Sequence, residues 1–170
     1  MEKLPVQEWE HLPIEVYQKT LIEAKEYFEE YCSETESITD KSLKTFWGLL
    51  SFTGVASGLI VSKKHIFFVD FLLGSLIIYL LIRLYFIIKP RQTVYRGVHP
   101  LQHLTKDFDR SDLTKDDKEK LLYVNLIEQY MAKIELIEGL NKIRAKQYSI
   151  NFFLAIVFII ATSIYLGFIY

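Results

Sequence analysis

The chain has one cysteine, Cys32, in 170 residues. That excludes an intrachain disulfide and any zinc site built on cysteines, and it fits a reducing cytosol. Proline is scarce as well: Pro5, Pro13, Pro90 and Pro100 are the full set, so nothing breaks a helix from residue 101 to the end. Met1 to Leu12 includes Glu2, Glu8, Trp9 and Glu10 and lacks the apolar run of a cleavable signal peptide, so the first internal apolar segment is expected to act as a signal anchor. No P-loop, GxGxxG or GxSxG is present, which removes support for standard nucleotide hydrolysis and for the common serine-hydrolase arrangement. Asp70, His65 and the remaining histidines show no paired catalytic spacing, so neither an enzyme nor a cofactor is expected. There is no broad basic surface, and nucleic acid is not an expected partner.

What is present is apolar, 51% of residues, and sharply segregated. A helix rises about 1.5 Å per residue and the hydrocarbon core is roughly 30 Å thick, so a span needs about 20 apolar residues. Thr45–Val61 is uncharged and slightly short, Ile66–Ile88 is long enough to tilt, and Ile150–Tyr170 is uncharged to its last residue. A chain this small cannot wrap three helices that are apolar on every face. The expected fold is all-α, an integral membrane protein with three transmembrane helices plus cytosolic helices, and the lipid bilayer is its first partner.

Lysine and arginine near the span ends set the orientation. Lys41, Lys44, Lys89, Arg91, Arg96, Lys142, Arg144 and Lys146 stand on one side, against Lys63 and Lys64 in the turn Ser62–His65. The N-terminus is therefore expected inside and the C-terminus outside a bacterial inner membrane. The chain divides into an acidic arm over 1–40, a two-span hairpin over 41–91, a cytosolic loop and long helix over 92–149, and the third span over 150–170. Residues 1–40 hold eleven acidic residues and three lysines, net −8, while the other 130 hold 17 basic and 10 acidic residues, net +7. Glu26, Glu29 and Glu30 of the arm and the juxtamembrane cations make a salt-sensitive latch a reasonable expectation.

Pro13 suits a first helical position, because its missing N–H would have no partner there. Behind it Ile14, Tyr17, Leu21, Ala24, Phe28 and Tyr31 form one apolar stripe, with Glu15, Lys19, Glu23, Glu26, Glu29 and Glu30 opposite. Such acidity disfavours a helix lying on anionic lipid, so the stripe is expected to pack on protein. Ser33–Asp40 reads as a polar linker. A second long helix is expected from Thr114, where Thr114 and Asp117 have capping-box spacing, and it can run unbroken into the third span with Gly139 as a candidate bend. Tyr123, Ile127, Tyr130, Ile134, Ile137, Asn141, Arg144 and Tyr148 alternate four and three apart as a heptad seam, broadened by Leu122, Leu126, Leu136, Leu140 and Ile143. Tyr130, Ile134, Ile137, Asn141 and Arg144 are the candidate oligomer or signal positions. Asn141 and Arg144 either fix register or mark the point where the seam splays towards the headgroups. Residues 89–113 are expected to be loop with a short helix near 101–108.

Charges inside a span are functional candidates by default. Asp70, four residues from the outer end of the second span, is the leading pore or coupling candidate, with Lys63 or Lys64 as an optional partner. Arg83, five residues from the inner end, can snorkel to the headgroups. Asn151 joins them in the third span. Ser51, Gly54 and Gly58 form a small-residue face that serves either packing within the hairpin or oligomerisation. His99, His103 and Asp107 have metal-ligand spacing, but Pro100 removes His99 from a shared helical face, and no metal is expected. Asp107 to Asp112 lacks the glycine of a calcium loop.

The acidic N-terminal helix, the Asp40-Lys41-Ser42 step, the tight two-span hairpin and the trailing cytosolic helix resemble the SLATT-like proteins, small bacterial two-transmembrane effectors of nucleotide-signalled antiphage defence. The resemblance covers roughly residues 14–145, and the third span is an addition to it. It implies an oligomeric inner-membrane effector that permeabilises or depolarises the membrane when a cytosolic protein or nucleotide signal releases it. The alternative function is a non-conducting membrane anchor or scaffold for a soluble cytosolic partner.

Overall fold

The computed structural model describes residues 12–61, 67–89 and 113–170. Among these residues the secondary structure is three α-helices: α1 (Ile14–Val61), α2 (Phe67–Ile88) and α3 (Lys115–Ile169). Each contains a stretch long and apolar enough to cross a membrane. The expected turn at 62–65, the loop with its short helix over 89–113, and the histidine and aspartate candidates within it fall largely or wholly outside the described residues.

Helix α1 starts one residue after Pro13, whose carbonyl accepts from the Val16 amide at 3.1 Å. The expected linker at Ser33–Asp40 is not a linker: α1 continues straight through it. Its hydroxyls explain why. Thr39 within it and Ser42 just beyond it donate to the carbonyls of Thr35 and Ile38, at 2.9 and 2.8 Å, so they are satisfied inside the helix instead of unwinding it. Helix α3 begins at a reciprocal cap. The Thr114 amide donates to Asp117 Oδ2 at 3.2 Å, and the Asp117 amide donates to Thr114 Oγ1 at 3.2 Å. The Thr114 hydroxyl also donates to Asp117 Oδ2 at 2.6 Å, and these bonds hold the Asp117 carboxyl below the usual carboxylate range. From there α3 passes Gly139 and enters the third apolar run without interruption.

Two compact units result: Met1–Glu34 with Gln92–Leu140, and Thr35–Arg91 with Asn141–Tyr170. In the first, Tyr17, Leu21, Ala24 and Phe28 of α1, the stripe expected to pack on protein, are buried with Ile127, Tyr130 and Ile137 of the α3 heptad seam. Gln18 Nε2 donates to the Tyr123 hydroxyl at 3.3 Å, and further along both helices Phe28 meets Tyr130 edge-on at 5.6 Å, so the two segments run parallel. The Lys133 ammonium lies 5.5 Å from the Tyr130 ring and 5.8 Å from the Phe28 ring. Its partial burial there pushes its pKa down.

In the second unit three segments pack together. Thr35 with Asn141, Thr45 with Tyr148 and Phe52 with Phe158 occur in the same order along α1 and α3, which makes those two parallel. Ile87 with Arg144 and Asp70 with Tyr165 occur in opposite order, so α2 is antiparallel to α3. The core is Ile38, Leu49, Ile77, Leu80, Leu84, Ile87, Ala155 and Phe158.

Candidate functional site: a polar seam inside an apolar bundle

All three helices keep a strict four-three step at their inward positions. On α1 it runs Tyr17, Leu21, Ala24, Phe28, Tyr31, Thr35, Ile38, Ser42, Thr45, Leu49, Phe52, Ala56, and none of these is exposed. On α2 it runs Asp70, Leu73, Ile77, Leu80, Leu84, Ile87. On α3 the seam expected to end at Tyr148 continues through Asn151, Ala155, Phe158, Thr162 and Tyr165. The second unit differs from a water-soluble bundle in its apolar exterior and in the polar residues enclosed beside its apolar core. Ser42, Asn141, Asn151 and Thr162 are all at most 2% exposed, while Phe67, Phe68 and Phe168 are at least 67% exposed. An exposed apolar surface of this extent is uncommon on a water-soluble bundle.

At one end of this unit the polar seam becomes a junction. Arg144 Nη2 on α3 donates to Thr39 Oγ1 on α1 at 2.7 Å and to the Ile87 carbonyl on α2 at 2.8 Å. Thr39 can accept because its own hydrogen goes to the Thr35 carbonyl. Ile87 lies in the last turn of α2, where the final carbonyls have no partner within their helix and carry the negative end of its dipole. A guanidinium is the strongest side-chain donor for such a position. One turn before Arg144, Asn141 Oδ1 accepts from Thr35 Oγ1 at 2.8 Å, and one turn after it the Tyr148 and Thr45 hydroxyls meet at 3.3 Å. Asn141 and Arg144 thus tie three helices together. Their partners, Thr35, Thr39 and the Ile87 carbonyl, are not evident from the sequence; the signal for the first two is hydroxyl residues on or beside the seam of α1.

At the opposite end the Tyr165 hydroxyl donates to Asp70 Oδ1 at 3.0 Å, linking the start of α2 to the end of α3. Tyr165 is the partner shown for Asp70; the lysines proposed for it, Lys63 and Lys64, lie outside the described residues. Between the two ends sits Asn151, 1% exposed, with neither Nδ2 nor Oδ1 hydrogen-bonded among the described residues, and Thr162 Oγ1 shares that condition.

Arg83 belongs to the junction end. One turn back from Ile87 on α2 is Arg83, and one turn on from Arg144 along antiparallel α3 is Tyr148, just before the apolar run opens at Ile150. Arg83 Nη1 donates to the Tyr79 hydroxyl at 2.8 Å, with the guanidinium 5.5 Å above that ring. Ser51, Gly54 and Gly58 are exposed, and a Cβ built on either glycine meets nothing within 4 Å. Among the described residues, therefore, nothing packs closely on this small-residue face. Tyr130 and Ile137 are buried in the first unit with Ile134 packed against them. No known protein family, curated protein or solved structure matches the chain.

Proposed function

We propose that this protein is a three-span membrane protein, with its N-terminus cytosolic and its C-terminus outside, that assembles with further copies of itself and permeabilises the membrane on a cytosolic signal. The observation that carries the membrane part is the apolar exterior of the bundle: Phe67, Phe68 and Phe168 lie outside, while Ser42, Asn141, Asn151 and Thr162 are enclosed beside the apolar core. Lipid accepts those phenylalanines without penalty, whereas the polar groups need shelter from it. Parallel α1 and α3 with antiparallel α2 is the arrangement three successive crossings require. The exposed Lys41, Lys44, Lys89, Lys142 and Lys146 lie within a few residues of the Arg144 junction, the charge bias of a cytosolic face.

Asn151 favours an effector over an inert anchor. A buried amide without a partner costs about 1–3 kcal/mol in proteins and more in hydrocarbon. A bundle that only anchors gains nothing from it; a bundle that also adopts a second, polar arrangement does. The SLATT-like resemblance implies the same class of activity. Induced expression should collapse the membrane potential of the host, and Asn151→Leu or Gly54→Leu should each prevent the collapse. An unchanged potential at full expression would refute the effector reading.

A scaffold role is the second reading, favoured by the apolar surface of the first unit, where Ile22, Tyr27, Met131 and Leu136 are all more than half exposed. A stable soluble partner recovered with the protein from resting cells, together with an undisturbed potential, would support it.

A further inference from the structure

We infer that Asn151 marks the face by which α3 of one copy packs against α3 of another, and that α3 gives up its partners within the chain for that contact when copies assemble. This rests on the self-assembly in the proposed function and names the surface that performs it. Asn151 sits on the seam among side chains of its own bundle, 1% exposed, and its amide donor and acceptor are both unpaired among the described residues. Eleven residues on, three turns along the same seam, Thr162 Oγ1 repeats the pattern.

A second copy of the chain is the occupant that fits. A primary amide carries two donors and one acceptor oxygen, so it is complementary to itself. Copies inserted in one direction have parallel α3 helices, which brings Asn151 to the same depth in each. Around a rotation axis every Nδ2 then donates to the Oδ1 of the next copy, and the ring closes with both atoms of each amide bonded, whatever the number of subunits.

The exchange is cheap where the bilayer is the solvent. Lipid tails are as apolar as leucine, so turning one apolar helix face outward and another inward changes little, and the polar groups decide which face is covered. The remaining surface of α3 offers no competitor: Phe153, Val157, Ile160 and Ile164 are exposed and apolar, and the exposed Ser163 hydroxyl already donates to the Ile159 carbonyl at 2.8 Å. The bonds that oppose the exchange lie towards the two ends: Asn141 with Thr35, Arg144 with Thr39 and Ile87, and Tyr148 with Thr45 at one, Tyr165 with Asp70 and Tyr170 with the Leu59 carbonyl at the other.

The test uses the full chain carrying Cys32→Ser and one of two single cysteines that leave Asn151 in place: Ala155→Cys, one turn on along the same seam, or Phe153→Cys on the exposed face. Each is placed in phosphatidylethanolamine–phosphatidylglycerol liposomes at rising protein density and exposed to a membrane-permeant oxidant. The Ala155→Cys chain should form covalent dimers at least about fivefold more than the Phe153→Cys chain. Preferential linking through Phe153→Cys, or no linking through either while the wild type is oligomeric by mass in detergent, overturns the inference and leaves self-assembly standing. A wild type that is monomeric at every density removes the parent reading as well. A second pair guards against misfolding: Asn151→Leu should raise the melting temperature of the monomer and reduce the oligomer several-fold, and Asn151→Gln should restore the oligomer. An Asn151→Leu chain that assembles like wild type contradicts the proposal.

Discussion

Arg144 of α3 donates through Nη2 to the carbonyl oxygen of Ile87 in the last turn of α2, at 2.8 Å. The same nitrogen reaches Thr39 of α1, so one side chain joins all three helices where the exposed lysines gather. A charge-assisted hydrogen bond contributes about 1.5–3 kcal/mol when neither partner has a ready substitute. Arg144→Leu should therefore lower the melting temperature in mild detergent by several degrees and speed amide exchange at Ile87 to Lys89. Arg144→Lys, with a single ammonium in place of the planar fork, should fall between the two. Exchange at the end of α2 that is identical in all three proteins would remove the junction from the account.

The Thr35–Asn141 bond makes a separate case, because Asn141 is only 2% exposed. A double-mutant cycle on Thr35→Val and Asn141→Leu should yield a coupling of about 1 kcal/mol, the singles together costing more than the double. Strict additivity, measured by thermal or denaturant unfolding, would show that the bond does not hold the register.

Acid should loosen the start of α3 before the rest. The Thr114 hydroxyl and amide bonds lower the Asp117 pKa in the folded protein. For a carboxyl so depressed, the stabilisation is complete above its unfolded value near 3.8 and disappears as pH falls through the lower folded value. Carbon-13 NMR of Asp117 should give a titration midpoint below that value, and Thr114→Ala should move it back up. A wild-type midpoint at or above the unfolded value would contradict the cap.

Much of this was legible before any coordinates. The apolar stripe Tyr17 to Phe28, the seam from Tyr123 to Arg144, the Thr114–Asp117 cap and the three apolar runs all follow from periodicity and length. Ser33–Asp40 did not, because serine and threonine usually compete with helix for the backbone, whereas here Thr35 and Thr39 face Asn141 and Arg144. The continuation of the seam to Tyr165 was hidden for the opposite reason. In a run that is apolar on every face hydrophobic period carries no contrast, and only Asn151, Thr162 and Tyr165 betray which side faces inward. Arg83, a span charge expected to snorkel, lies one turn from Ile87, the α2 residue that meets Arg144.

The central claim is that these spans open a path through lipid, and dye release from sealed liposomes tests it most directly. Purified protein should release a small trapped dye at a rate rising more steeply than linearly with protein density, and Asn151→Leu should abolish release. Liposomes that stay sealed while holding fully inserted, helical wild-type protein at high density would contradict it.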